Sequence, residues 1–168
     1  VPTIDKVVDD VGTITGELKD GDFTDDNKPT ISGTATSAKG GTVTIYNDGT
    51  KIGTAMVDAD GKWTFTPATA LNDGAYKITV DATNTVGQIS DKSDAFNFTV
   101  DTVAPGAVTD LAITDDVGDY KGPLKDNDTT DDNTPTFTGK AEANGIVTIY
   151  DGTTALGSDK AGSDCSWT

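Results

Sequence analysis

The chain has 168 residues with 12 lysines, no arginine, 28 acidic residues and a net charge of −16; nucleic acid is excluded as a partner, since a polyphosphate needs a basic surface. There is no histidine and one cysteine, Cys165, which removes His-based triads, the usual zinc ligand and any intrachain disulfide. No apolar run is long enough for a membrane insertion, and a start at Val1 without a signal peptide reads as an excised part of a longer protein.

The apolar residues lie in short runs of period two, the spacing of half-buried strands. In chain order the predicted strands are 3–8, 29–36, 42–47, 51–57, 62–67, 75–83 and 94–101. Val43 and Ile45 alternate with Thr42 and Thr44, then Trp63 and Phe65 share a face, then Tyr76, Ile78 and Val80, then Phe96, Phe98 and Val100. Turn signals separate them at Asn47-Asp48-Gly49, Asp60-Gly61, Asn72-Asp73-Gly74 and Val86-Gly87. No segment has a helical period. Seven short strands in about 100 residues predict an all-β, immunoglobulin-like Greek-key sandwich. Asp73-Gly74-Ala75-Tyr76 predicts a tyrosine corner, and Trp63 and Trp167 are expected in cores.

The pattern is duplicated. Residues 9–38 and 115–144 are identical at 17 of 30 positions, with Asp9-Asp10-Val11-Gly12 recurring as Asp115-Asp116-Val117-Gly118 and Thr24-Asp25-Asp26-Asn27 as Thr130-Asp131-Asp132-Asn133. After Gly41 the offset shortens by two, pairing Val43-Thr44-Ile45-Tyr46 with Val147-Thr148-Ile149-Tyr150 and Trp63 with Trp167. The expected organisation is a complete repeat at 1–101 and a truncated one at 102–168. The second holds counterparts of the first four strands and the start of the fifth, so its core is expected to be open. Gly61 aligns with Cys165, which predicts an altered turn there.

The order of Asp-Asp-Val-Gly, Thr-Asp-Asp-Asn-x-Pro-Thr, Val-Thr-Ile-Tyr, Asp-Gly-x-Trp-Thr-Phe-Thr-Pro, Leu-x-Asp-Gly-x-Tyr and Phe-Thr-Val-Asp-Thr-x-Ala-Pro resembles the bacterial Ig-like repeats of giant non-fimbrial and biofilm-associated adhesins secreted by type I systems. That resemblance implies an extracellular stalk at the bacterial cell surface. Its partners would be adjacent Ig-like repeats of the same chain and calcium ions within or between repeats, with host-surface or matrix ligands met through other domains.

All acidic residues except Glu17 and Glu142 are aspartate, a turn former and a short hard-oxygen ligand. Alternation of loops between the two ends of a sandwich brings Asp9, Asp10, Asp20, Asp22, Asp25, Asp26 and Asn27 to one pole, beside Asp73 and Asp101. Crowded carboxylates repel unless a cation intervenes, and calcium takes 6–8 oxygens. The candidate calcium ligands are therefore Asp9, Asp10, Asp25, Asp26 and Asp101, with Asp115, Asp116, Asp131 and Asp132 in the second copy; the competing reading is that they cap turns and keep the surface soluble. A glycosidase pair needs a cleft that such loops do not frame, so no catalytic residue is expected and the chain reads as no enzyme. The alternative to a stalk is a glycan- or protein-binding module, or an accessory domain of a secreted enzyme. It would need exposed aromatics, and only Phe23 reads as one, its counterpart in the second copy being the polar Thr129.

Overall fold

A computed structural model describes residues 1–168 as two compact units, Val1–Val103 and Ala104–Thr168. The division falls two residues beyond the seam expected at 101/102.

The first unit has nine strands: β1 (Lys6–Asp9), β2 (Gly16–Glu17), β3 (Asp22–Thr24), β4 (Thr30–Thr34), β5 (Thr42–Asn47), β6 (Thr50–Met56), β7 (Lys62–Phe65), β8 (Gly74–Thr83) and β9 (Phe96–Val100). They form two sheets, β2-β1-β4-β7 and β3-β9-β8-β5-β6. Val7, Ile31 and Trp63 point inward from the first sheet; Val43, Ile45, Ile78, Val80, Phe98 and Val100 come from the second. The two apolar phases meet in one core, as a sandwich of alternating strands requires. Ser32, Thr44 and Thr64 take the opposite phase, outside it.

Local chemistry fixes the connections. Asp48 and Gly49 both have positive φ (45° and 83°) between the paired residues Asn47 and Thr50, the conformation that a two-residue hairpin demands. The Tyr76 hydroxyl donates to the Asn72 carbonyl at 2.9 Å, which is the expected tyrosine corner, and its ring stacks on Phe98. The last strand starts later than predicted, at Phe96. Before it, the Ser93 and Ser90 hydroxyls accept from Val80 N–H and Ala82 N–H, so side chains replace the missing ladder partner.

The stretch after β1 is not the plain loop expected of it. β2 pairs antiparallel with β1, and β3 pairs parallel with β9, Thr24 opposite Val100. The chain thus changes sheets between β1 and β3.

The second unit repeats part of this plan with β10 (Thr109–Asp115), β11 (Gly122–Pro123), β12 (Thr136–Lys140), β13 (Ile146–Asp151), β14 (Thr154–Lys160) and β15 (Ser166–Trp167). Its sheets are β11-β10-β12-β15 and β13-β14. The core is small: Val147, Ala161 and Trp167, with Phe137, Ala141 and Ile149 packed against them.

Candidate functional site

The acidic segments build one hydrogen-bonded unit, made twice. In the first copy Asp9 ends β1, where its Oδ1 accepts from Val11 N–H at 2.9 Å and turns the chain. Its Oδ2 accepts from the Thr24 hydroxyl at 2.6 Å. The same hydroxyl accepts from Asp26 N–H at 3.1 Å, and Asp26 Oδ1 accepts from Lys28 N–H at 2.7 Å. Pairing of β3 with β9 holds Thr24 in place: Asp101 N–H donates to the Thr24 carbonyl at 2.9 Å. The Thr24 hydroxyl thus joins the Asp9 carboxylate to the Asp26 backbone, and both aspartates are almost wholly buried, at 4% and 2% exposure.

Burying an ionised carboxylate is costly unless hydrogen bonds or a cation compensate it. Asp9 is compensated by two donors. Asp26 is only half compensated, because its buried Oδ2 has no partner. The chain's ion pair, Lys6 with Glu17 at 3.1 Å, is made by half-exposed side chains and does not reach either carboxylate.

Asp25 is exposed, and its carboxylate lies against Gly12 so closely that a Cβ there would overlap it. Gly12 also has φ +73°, a left-handed conformation, so position and space both call for glycine. Asp10 is exposed just beyond β1. Asp101 is half-buried, and its Oδ1 accepts from Val103 N–H at 3.2 Å.

The second copy reproduces the pattern. Asp115 accepts from Val117 N–H at 3.0 Å and from the Thr130 hydroxyl at 2.5 Å. Thr130 accepts from Asp132 N–H at 3.0 Å, and Asp132 accepts from Thr134 N–H at 2.8 Å. Asp131 lies against Gly118 as Asp25 does against Gly12. One contact differs: exposed Asp116 donates its N–H to Asp132 Oδ2 at 3.3 Å, the oxygen left unpartnered in Asp26.

Of the residues expected at one pole, Asp9, Asp26 and Asp101 bond to Thr24, the last two through their backbone N–H groups, and Asp25 lies against Gly12. Asn27 accepts from Leu71 N–H, and Asp73 accepts from the N–H and hydroxyl of Thr102 at 3.1 and 2.8 Å. Asp20 and Asp22 do not belong to this group. Asp20 accepts from Asn97 N–H and Nδ2, and Asp22 stands opposite Phe98, because β3 carries that segment along the edge of β9. The hub residues Thr24 and Thr130 were not singled out in the sequence, although both stand two positions before the second aspartate of Thr-Asp-Asp-Asn.

For calcium, the fit is partial. Asp26 Oδ2 is a buried anionic oxygen with coordination to spare, but no three acidic side chains are grouped so as to hold a metal ion. A calcium shell at this place would have to be completed from Asp25, Asp10, Asp101 and loop carbonyls.

Phe23 is not alone among exposed aromatics, contrary to the expectation from strand phase: Tyr120 is 88% exposed. Tyr46 and its counterpart Tyr150, the latter 60% exposed, lie on outer sheet faces, because each follows by one residue an isoleucine that faces the core, Ile45 fully buried and Ile149 partly so; Phe23 is 70% exposed. Tyr46 is covered: Lys92 Nζ sits 3.7 Å from its ring centre. The nearby Asp81 carboxylate, aided by partial burial, holds the Tyr46 phenol above its usual range.

No curated protein matches the chain. Among solved structures, CopC from Methylosinus trichosporium OB3b is 17% identical over 49% of this chain and 85% of its own, at a TM-score of 0.35, too loose a likeness to bear on function. The bacterial Ig-like domain family matches residues 2–102, the span of the two-sheet sandwich with its buried Asp–Thr–Asp unit. The chain therefore belongs to the bacterial Ig-like domain family.

Proposed function

We propose that the chain is a structural stalk segment of a large bacterial surface adhesin, a non-catalytic spacer exported from the cell, supporting adhesion or biofilm formation and stiffened by calcium near the ends of its repeats. The observation that supports this most is the duplicated network, Asp9–Thr24–Asp26 and Asp115–Thr130–Asp132. A spacer needs the same joint in every copy, whereas a recognition site needs it once.

Calcium would be held by Asp26 and Asp9 with Asp25, Asp10 and Asp101 in the first unit, and by Asp115, Asp116, Asp131 and Asp132 in the second. Bound there, it would neutralise carboxylates that otherwise repel one another. Asp101 links this cluster to the end of β9, so ordering it fixes the direction in which the chain leaves the first unit.

Thermal unfolding tests the metal. Calcium at a hundredfold excess over its dissociation constant stabilises by about 2.7 kcal/mol, worth roughly 10 °C for a domain of this size. The expected result is a rise in Tm with calcium, a smaller one with magnesium, reversal by chelator, and loss of the response in Asp26→Asn. Equal melting curves in calcium and chelator would overturn the metal's role. Antibody labelling of intact cells checks the surface location separately.

A further inference from the structure

The last residues of the first unit are fastened one after another through their backbone N–H groups. Asp101 N–H donates to the Thr24 carbonyl at 2.9 Å, Thr102 N–H to Asp73 Oδ1 at 3.1 Å, and Val103 N–H to Asp101 Oδ1 at 3.2 Å. The Thr102 hydroxyl adds a second bond to the same Asp73 oxygen, at 2.8 Å. β9 ends at Val100, so Thr102 lies beyond the ladder and takes its anchor from a side chain.

The place of Asp73 follows from the residues around it. Gly74 opens β8 opposite Val100, and the antiparallel register brings the residue before Gly74 alongside those after Val100. Two bonds hold the loop that carries Asp73: Leu71 N–H donates to the Asn27 carbonyl at 2.8 Å, and the Tyr76 hydroxyl to the Asn72 carbonyl at 2.9 Å. The Tyr76 ring stacks on Phe98 of β9, with 5.4 Å between ring centres. The tyrosine corner thus ties Asn72, the neighbour of Asp73, to the strand whose exit Asp73 holds.

We propose that Asp73 is a metal-independent latch on Thr102, with Tyr76 as its positioning residue, and that together they set the direction in which the chain leaves β9. A carboxylate oxygen that accepts both donors of one threonine fixes its backbone and its rotamer at once. Asp73 makes no bond to the Asp9–Thr24–Asp26 network, so the exit stays ordered whether or not an ion sits there. The latch takes its purpose from the spacer function proposed above, but it needs no calcium.

The test measures amide exchange and backbone order parameters on the 168-residue chain in chelator. Thr102 and Val103 are expected to be as ordered as β9, with order parameters of about 0.85. Asp73→Ala should speed exchange at the Thr102 amide roughly three- to tenfold and lower the order parameters at 102 and 103, with the β5 and β8 amides unchanged. Asp73→Asn keeps an acceptor oxygen in the same place and should retain most of the protection. Tyr76→Phe keeps the ring stack without the hydroxyl and should loosen Thr102 by a smaller factor. Thr102→Val works from the other partner, leaves the loop intact and should free the segment in part. The proposal is overturned if Thr102 is mobile in chelator and ordered only by calcium, if Asp73→Ala or Tyr76→Phe leaves it unchanged, or if Asn at 73 costs as much as Ala. A flat melting response to calcium beside an intact latch would end the metal's role and leave the latch standing.

Discussion

The two units share their acidic segments almost atom for atom and differ in how their cores are closed. In the first, Val43 and Ile45 are fully buried between two sheets of four and five strands; in the second, Val147 and Ile149 sit on a two-stranded sheet beside an open groove. The Asp–Thr–Asp network forms in both, from residues within about 25 positions of one another. It is therefore a local product of the turn after the first strand, whereas the core needs β8 and β9, which begin 50 and 72 residues after Thr24. Local polar order and global packing separate cleanly here, and substitutions can be chosen to act on one and not the other.

The largest contrast is expected at the two tryptophans. Trp63→Ala removes a side chain buried at the centre of a closed core, which costs about 3–5 kcal/mol, and the first unit should lose most of its cooperative unfolding. Trp167→Ala, in a core already open on one side, should change the melting of the first unit little and only loosen the second. Hydrogen exchange read separately over 1–103 and 104–168 distinguishes the two. Equal losses in both units would mean that the open groove is packed in solution.

Gly12→Ala attacks the shared network instead. The left-handed φ costs about 1–2 kcal/mol for a residue with a Cβ, and the Asp25 carboxylate must move aside. Asp25 is exposed and can rotate away, so the backbone sets the penalty. Denaturant unfolding should show a loss of that size, and Gly118→Ala should behave alike in the second unit.

Cys165→Gly should do the reverse. Cys165 holds φ +68° where Gly61 holds +85°, so the altered turn keeps its shape and carries strain. Relief of about 1–2 kcal/mol is partly offset by the entropy of a new glycine, about 0.5–1 kcal/mol. A net gain below about 1 kcal/mol is expected, visible as slower exchange at Ser166 and Trp167.

The smallest effect concerns acid. In this turn Asp164 accepts from Ser166 N–H at 3.1 Å and from its hydroxyl at 2.9 Å, which, with help from the Lys140 charge, holds its carboxyl below the ordinary 3.8. A depressed folded pKa gives stability that is present above the unfolded value and lost as pH falls through the folded one. The turn should thus weaken only below about pH 3.8. Ser166→Ala should raise the Asp164 midpoint in a carboxyl-carbon NMR titration part of the way, because the backbone donor remains.

All seven predicted strands form in the first unit, because each buries every second side chain and is bounded by a turn residue with a mechanism. Asp48-Gly49 and Tyr76 are examples in which two residue types suffice to fix the geometry. What escaped were β2 and β3, of two and three residues, too short for alternation to register. Without β3 the sequence places Asp20 and Asp22 at the acidic pole, and no pattern separates Thr24 from the other threonines. The aspartates of the site were legible as a set through their repetition. Their division into buried Asp9 and Asp26 and exposed Asp10 and Asp25 was not, since it depends on which side of a sheet crossing each residue falls.

The parallel pairing of β3 with β9 has a mechanical consequence. Tension applied along a chain enters the first unit near β1 and leaves it at the end of β9, beside Thr24. Where two strands run the same way, such a pull slides one along the other and loads their hydrogen bonds together, instead of peeling them apart one at a time. The contact is three residues long, from Asp22 opposite Phe98 to Thr24 opposite Val100. It lies directly on the acidic network through the Asp101 N–H and the Thr24 carbonyl. A stretched chain would therefore load the β3–β9 pairing at Thr24, the residue whose hydroxyl holds the buried Asp9.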